Sequence, residues 1–311
     1  MEIRFWPEGR LLDTEENSAR CASLEALRNA MEAGVVIEGL ATLCTPTHDL
    51  MVKLGDFTGI IPREEGAIGV AEGSTRDIAL LSRVGKAVSV IVTRVGEDGV
   101  LSLSRRAAQK KALDYLMEEL RPGDILPATV THLEPFGAFV DIGCGLPSLL
   151  GIETLSVSRI PHPDRRFSLD QKIWAAVTDV DRDLGRVYLT HKELLGTWEE
   201  NAACFAPGMT VPGIVRGVKE YGVFVELTPN LSGLAEAKGD LAEGDRVSVY
   251  LKSILPERMK IKLLVINKLP PEPAPPSFRY YLTKGRISRW EYAPRGCGKI
   301  GAVTVFADQS P

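Results

Sequence analysis

An internal repeat constrains this chain more than any other feature of its sequence. Shifted by 85 positions, the segment from Pro207 falls on the segment from Pro122 without a gap. Both segments open with Pro-Gly, continue through a valine-containing run and reach an aromatic-Gly-x-Phe-Val motif at Phe136 and at Tyr221. Such a match over separated positions indicates a duplicated structural unit, so we expect the chain to be built from repeats.

The central copy has the sequence pattern of a small β-barrel. Residues 125–130 place apolar side chains near period two, and Gly137 between two aromatic residues predicts a bulge or sharp coil that lets both rings reach one face. Residues 173–180 and 186–190 flank a polar turn that ends in glycine, which is typical of a hairpin. Short strands, tight turns and no long helix predict a small barrel.

A degenerate copy of the same unit precedes these two copies. Residues 35–104 match the strand pattern of the central copy at a shift of 88, which places His48 where Phe136 stands and Met51 where Phe139 stands. The barrel pattern is kept, but the aromatic pair is lost. We therefore expect this copy to serve architecture or protein contact, since a base gains roughly 1–3 kcal/mol from stacking on an aromatic ring.

The repeated pattern resembles the S1 RNA-binding domain family. The residues that carry the resemblance are Pro-Gly, the valine strand, aromatic-Gly-x-Phe-Val, and an acidic turn ending in Gly-Arg before an apolar hairpin strand. It covers most of the chain as tandem copies. It implies a mainly β fold of three tandem five-stranded OB-type barrels, joined by short helices and followed by a small β-rich C-terminal tail. It also implies that the chain binds single-stranded RNA.

The repeats and their connectors divide the chain into eight predicted segments. They are a leader with a docking helix (1–33), a degenerate barrel (34–104), a connecting helix (105–121), a first RNA-binding barrel (122–195), a connector (196–206), a second RNA-binding barrel (207–267), a Pro-rich linker (268–277) and a β-rich tail (278–311).

The resemblance assigns base stacking to two aromatic pairs. Phe136 and Phe139 in the central copy, with Tyr221 and Phe224 as their counterparts, would stack on unpaired bases with little sequence preference. Burial in the core is the alternative, since most phenylalanine side chains are buried. Both barrels already have an inward-facing set of aliphatic residues, which favours an RNA-binding role for the rings.

The resemblance also assigns polar contacts on the hairpin. Arg186 would point at phosphates with Asp181 as its acidic partner, and Lys260 stands at the place of Arg186 in the third copy. A lysine contacts phosphate as a point charge and lacks the bidentate fork of arginine. The position where the family often has histidine falls on Gly151, and His132 on the first strand could substitute for it.

Other basic residues complete the predicted RNA contacts. Arg165 and Arg166 lie in a loop that would widen the footprint of the central barrel, and Lys219 precedes the aromatic pair of the third copy. A solvated loop is the alternative for the two arginines. The basic run that begins at Arg105 is interpreted as a solvated helix face, with a phosphate track as the less favoured alternative.

The C-terminal tail mixes aromatic and basic residues. It is predicted to form a strand, a turn at Lys284-Gly285, a second strand, a loop and a third strand. The run Pro270–Pro276 before it predicts a stiff extended linker. The tail suits RNA binding, and it equally suits a sheet that folds back onto the third barrel.

Composition excludes several classes of function. The net charge of −4 weakens an RNA-binding interpretation without excluding it, because single-strand binders also rely on stacking. Five scattered cysteines without CxxC spacing argue against zinc and disulfides and suit the cytoplasm. Neither a signal peptide nor a membrane span is expected. The D-x-D-x-D run at Asp179 lacks the remaining features of a calcium loop, so we expect no metal.

These patterns favour a non-catalytic protein without a cofactor or a small-molecule substrate, since they contain no nucleophile–base pair, Walker loop or zinc motif. The expected partners are single-stranded RNA, mRNA in particular, and the small ribosomal subunit. Two alternatives stay open. One is a scaffold whose barrels bind proteins, and the other is an accessory RNA-binding subunit of an RNA-processing or regulatory complex.

Overall fold

The computed structural model describes residues 3–96, 99–236, 240–271, 277–299 and 301–307. Three closed five-stranded barrels follow one another along the chain, and a two-stranded sheet lies near the C-terminus. This confirms the predicted mainly β class. Each barrel has the strand order of an OB fold, in which the third strand pairs in parallel with the fifth.

The strands of each barrel have the following bounds. The first barrel contains β1 (Ile37–Cys44), β2 (Leu50–Leu54), β3 (Phe57–Ile61), β4 (Ala87–Val95) and β5 (Leu101–Ser104). The second contains β6 (Ile125–Glu134), β7 (Gly137–Asp141), β8 (Pro147–Gly151), β9 (Lys172–Asp181) and β10 (Arg186–Thr190). The third contains β11 (Thr210–Lys219), β12 (Gly222–Thr228), β13 (Leu231–Ala235), β14 (Arg246–Leu255) and β15 (Lys260–Lys268).

The helices lie before the first barrel, between its third and fourth strands, and between successive barrels. They are α1 (Glu15–Arg20), α2 (Leu24–Glu32), α3 (Ile78–Leu81), α4 (Arg105–Glu119) and α5 (Trp198–Ala202). The single docking helix predicted from Thr14 is two helices, because the Ser23 side chain accepts a hydrogen bond from the Ala26 amide and caps a new start. Ser104 caps α4 in the same way, where a connecting helix is predicted.

The described residues divide between two compact units. The first takes in residues up to 120 together with 127–129 and 141–148, and the second takes in 121–126, 130–140 and the described residues from 149 onwards. In the first unit, α2 and α4 both contact β4 and cover the first barrel.

The basic run at the start of α4 is held by partners within the first unit. Arg105 is buried, and its guanidinium donates to both carboxylate oxygens of Glu8 at 2.6 and 2.9 Å. Arg106 pairs with Glu65, and Lys111 donates to a backbone carbonyl. The prediction of a fully solvated helix face is therefore wrong at Arg105, where the long-range partner Glu8 is 97 residues away.

A cluster of buried apolar residues in the second unit includes residues of the tail. The interior of the third barrel packs with Trp198 of α5 and with four tail residues, which are Ile287, Trp290, Tyr292 and Phe306. The tail forms β16 (Arg289–Glu291) and β17 (Val303–Val305) as an antiparallel pair. This burial favours the interpretation in which the tail folds back onto the protein.

The first strand predicted in the tail does not form. Tyr280 instead donates its hydroxyl toward Nε2 of buried His191 at 2.9 Å, and the Tyr281 amide donates to the carbonyl of Leu194. One side-chain hydrogen bond and one backbone hydrogen bond, rather than a ladder of backbone pairs, anchor this segment. Residues 272–276 of the predicted linker and residues 97–98 of the first hairpin turn lie outside the described residues.

Candidate nucleic-acid interface

Two aromatic rings stand on the outside of the second barrel. Phe136 lies in the turn before β7 and is 55% exposed, and Phe139 lies on β7 and is partly exposed. Their neighbours Ala138 and Val140 are fully buried, so the alternation of the strand sends the rings away from the core. The ring centroids are 6.0 Å apart in an edge-to-face arrangement with an interplanar angle of 89°.

The third barrel repeats this pair. Tyr221 is 69% exposed in the turn before β12, and Phe224 follows on the strand. Their centroids are 6.2 Å apart at an interplanar angle of 89°, while Val223 and Val225 are fully buried. In both barrels the rings are surplus to the core, so burial in the core does not explain them.

A close approach of the neighbouring strand explains the glycine inside each pair. A Cβ atom at Gly137 would come 2.2 Å from the carbonyl oxygen of Leu150, and one at Gly222 would come 2.6 Å from a backbone oxygen of β13. In the third barrel the irregular register lies on β11 between Val215 and Gly217, whereas Gly222 pairs regularly. Gly222, the counterpart of Gly137, thus lies in a regularly paired strand, and the bulge or sharp coil expected at Gly137 stays a prediction.

The pairing registers define a row of outward side chains across three strands. In the third barrel, Phe224 on β12 lies opposite Leu234 on β13, which lies beside Lys262 on β15. In the second barrel, Leu149 on β8 lies beside Tyr188 on β10. The shift of 85 positions maps Leu234 onto Leu149, so the second barrel has a matching row that ends in tyrosine.

The corresponding row of the first barrel has no aromatic ring. Met51 on β2 lies opposite Ile60 on β3, which lies beside Ser102 on β5. His48 precedes the strand and its Nδ1 lies 3.2 Å from Oδ2 of Asp77. The prediction that this copy lacks the stacking pair agrees with the observed register.

His132 lies beside the aromatic pair of the second barrel. Its ring is 6.5 Å from that of Phe139 at an interplanar angle of 35°, and its Nε2 lies 2.8 Å from Oε1 of Glu134. The ring is exposed on β6. His132 thus lies on the same face as Phe136 and Phe139, where it was predicted to substitute for the family's histidine. Gly151, at the end of β8, has no side chain that could make this contact.

The residues predicted to contact phosphate lie at the start of the last strand in the second and in the third barrel. Arg186 is exposed and lies opposite Asp181, whose Oδ1 accepts a hydrogen bond from the Leu184 amide at 2.9 Å. Lys260 is exposed at the matching position of the third barrel, opposite Leu255. Asp181 therefore organises the turn that presents Arg186.

The two arginines of the predicted basic loop have different environments. Arg165 is exposed and lies 3.6 Å from the carboxylate of Asp164. Arg166 is only 2% exposed and donates two hydrogen bonds to Glu226 at 2.8 and 2.6 Å. Burial lowers the pKa of Arg166 in spite of Glu226, and the same carboxylate also accepts from Arg216. The Arg166 guanidinium is occupied in the interior, so it is not on the surface for the RNA contact predicted for it.

Lys219 is exposed at the end of β11, where it pairs with Gly222 beside the third-barrel rings.

Tyr188 is an outward-facing ring on the second barrel that the sequence analysis did not single out. It is 41% exposed, and the alternation of apolar and other residues along β10 is the sequence signal that predicts its exposure.

Within the described ranges, no group of three or more His, Cys, Asp or Glu side chains could hold a metal ion. Every helix in that part of the chain is too short or too polar to cross a bilayer.

Comparison with known proteins finds a family match for the second barrel and distant relatives for a larger part of the chain. Residues 119–192 match the model of the S1 RNA binding domain. The chain is 28% identical over 233 residues to the small ribosomal subunit protein bS1 of Chlamydia muridarum, covering 69% of this chain and 41% of that protein. It is 30% identical over 192 residues to bS1 of Staphylococcus aureus, covering 57% of this chain and 49% of that protein. The chain thus spans about half the length of these curated relatives.

One solved structure is a multidomain protein with nucleic acid binding domains from Streptococcus pneumoniae. It is 16% identical and covers 75% of this chain and 74% of its own. The TM-score is 0.26.

Proposed function

Because residues 119–192 form an S1 RNA-binding domain, we propose that this chain binds single-stranded RNA across the outer faces of its second and third barrels. The observation that supports the proposal is the repeated, solvent-facing ring pair, Phe136 with Phe139 and Tyr221 with Phe224. In each pair one ring is exposed and the other is partly exposed, and the buried aliphatic residues beside them form the core of each barrel.

Stacking supplies most of the affinity in this mechanism. Any base has a π-face, so rings on a barrel surface bind single strands with little preference for sequence. The edge-to-face arrangement leaves one face of a ring open to a base while its neighbour supports it from the side. Arg186, Lys219 and Lys260 lie at the strand ends, where they contact the phosphates of the bound strand.

Tethering of the two faces raises the affinity of the whole chain. One continuous polypeptide joins the second and third barrels, so binding at one face turns binding at the other into an intramolecular event. Two weak sites then bind a long strand more tightly than either binds a short one. We therefore propose an RNA that is long enough to reach both faces, with mRNA as the candidate.

A ribosome- or translation-associated role is the finer part of this proposal. The relatives are small ribosomal subunit proteins, and the present chain carries tandem repeats of the barrel that matches the S1 family. Sedimentation of a lysate on a sucrose gradient tests this role. The proposal expects the protein in the small-subunit fractions, and co-purification with a nuclease instead would assign it to an RNA-processing complex.

Titration of a labelled oligo-U strand by fluorescence anisotropy, at low and at physiological salt, tests RNA binding itself. The expected result is binding that weakens as salt rises, with a log–log slope of roughly −0.7 for each phosphate neutralised. Absence of binding at low salt would reject the proposed function.

A protein-binding scaffold is the second candidate. The net charge of −4 and the first barrel without aromatic pairs favour it. A scaffold would show oligo-U binding that is absent or insensitive to loss of the rings. The same titration with ring variants therefore separates the two candidates.

A further inference from the structure

We propose that Tyr188 provides an additional base-stacking position on the second barrel, one that the third barrel lacks. The inference rests on the proposed RNA binding and extends the site beyond the Phe136 and Phe139 pair. It would make the second barrel the longer and tighter of the two binding faces.

The local structure of β10 directs the Tyr188 ring to solvent. Val187 and Leu189 on either side are buried, and Tyr188 is 41% exposed. Its backbone partners are Leu149 on β8 and Asp179 on β9, so it lies within the sheet surface rather than at an edge. Paired strands on both sides therefore set its backbone position, and the register with β9 shifts directly after it, between Tyr188 and Leu189.

The row of outward side chains places Tyr188 on the face of the aromatic pair. The third barrel shows the full row in its register, Phe224 opposite Leu234 beside Lys262. The shift of 85 positions maps Phe224 onto Phe139. Since neighbouring strands lie about 4.8 Å apart, Tyr188 stands roughly 10 Å from Phe139 across the sheet, with Leu149 between them. The second barrel thus presents an apolar row of side chains in which Leu149 lies between the rings of Phe139 and Tyr188.

Arg186 lies two residues before Tyr188 on the same strand. Positions i and i+2 share one face and lie roughly 6.6 Å apart. Arg186 is exposed, so its guanidinium can reach the phosphate of a nucleotide whose base stacks on Tyr188. The ring and the cation are therefore spaced to hold the two ends of one nucleotide.

The matching positions in the other barrels carry no ring. Lys262 ends the row in the third barrel and Ser102 ends it in the first. A lysine contributes charge without a stacking surface, and serine contributes neither. The face of the second barrel therefore extends one strand further than that of the third.

Oligo-U strands of increasing length test this inference in a protein whose third-barrel rings are removed (Tyr221→Ala/Phe224→Ala). In that background, Tyr188→Ser should weaken binding about five-fold or more, and Tyr188→Phe should stay within two-fold because it keeps the ring. The loss should be confined to strands long enough to span the row. Tyr250→Ser is the matched control, since Tyr250 is a similarly exposed tyrosine (38%) on β14.

Thermal unfolding of each variant checks that the barrels remain folded. If Tyr188→Ser binds like its parent while Phe136→Ala/Phe139→Ala binds weakly, the inference is rejected and the proposed function stands. Equal losses for Tyr188→Phe and Tyr188→Ser would also reject it, because the hydroxyl and not the ring would then matter. If the unmodified protein binds no oligo-U, the proposed function itself fails.

Discussion

The second and third barrels share one backbone plan but present different surfaces. Both hold an edge-to-face ring pair around a glycine that the neighbouring strand approaches closely. They differ beside the pair, where His132 in the second barrel corresponds to Gly217 in the third, and at the end of the row, where Tyr188 corresponds to Lys262. The barrel topology sets where a side chain points, and single residues then decide how much of the face can stack.

The largest expected effect is loss of the second-barrel pair. Phe136→Ala/Phe139→Ala should weaken oligo-U binding by roughly 2–6 kcal/mol, because each ring contributes roughly 1–3 kcal/mol of stacking. Fluorescence anisotropy measures the change. Met51→Ala, at the matching position of the first barrel, is the control and should leave binding unaltered. An equal effect of both variants would show that the barrels do not differ as the comparison requires.

The second-largest expected effect is on folding stability, through a buried histidine, rather than on RNA binding. His191 is buried just after β10 of the second barrel, and burial lowers its pKa to about 4 although the Leu155 carbonyl opposes the shift. Since the unfolded chain has a pKa of about 6.5, it binds the proton more readily than the folded chain. The stability gained from neutral His191 is therefore present above pH 6.5 and is lost as the pH falls toward 4.

Chemical unfolding of the wild type and of His191→Gln at several pH values measures this effect. The stability difference between them should shrink by about 3 kcal/mol between pH 7 and pH 4. His132→Gln serves as the control, because that ring is exposed. A difference that stays constant with pH would contradict a buried neutral histidine.

A smaller effect is expected from the third-barrel pair. Tyr221→Ala/Phe224→Ala should weaken binding of a long oligo-U by about 1 kcal/mol, the low end of the stacking range, because the second barrel retains its longer face. Short strands that fill one face should bind this variant almost as well as the wild type. A loss larger than that of Phe136→Ala/Phe139→Ala would reverse the ranking of the two barrels.

Reciprocal exchange at the phosphate positions should give the smallest effect. Arg186→Lys should weaken binding by roughly 0.5–1 kcal/mol through loss of a hydrogen bond to phosphate, and Lys260→Arg should strengthen it by a similar amount. The salt dependence should not change in either variant, because the charge is conserved. A changed slope would mean that the exchange alters more than hydrogen-bond geometry.

Much of the fold and part of the face could be predicted from sequence. The repeat offset, the strand periodicity and the hairpin turns predicted small β-barrels, and the resemblance to the S1 family implied three of them with Phe136 and Tyr221 on a binding face. The three barrels and the exposure of both rings are observed. The same signals predicted α4 and the loss of rings at Met51. They failed for the first tail strand, where side-chain anchoring by Tyr280 replaces backbone pairing.

Arg165 and Arg166 illustrate the limit of local signals. The two neighbours are alike in sequence, yet Arg165 is exposed and Arg166 is buried against Glu226, which is 60 residues away. Burying a charged side chain costs desolvation free energy, which an oppositely charged partner must offset. For Arg166 that partner is distant in sequence. Only the packing of the second unit supplies that partner.

By itself, the sequence determined which residues could lie on a binding face, because the period of a strand is a property of adjacent residues. Only the tertiary structure decided which strands stand side by side. The parallel pairing of β8 with β10 brings Leu149 beside Tyr188 over a separation of 39 residues, and so places a further ring on the face of the second barrel. Such long-range pairing depends on closure of the whole barrel, which brings strands distant in sequence next to each other.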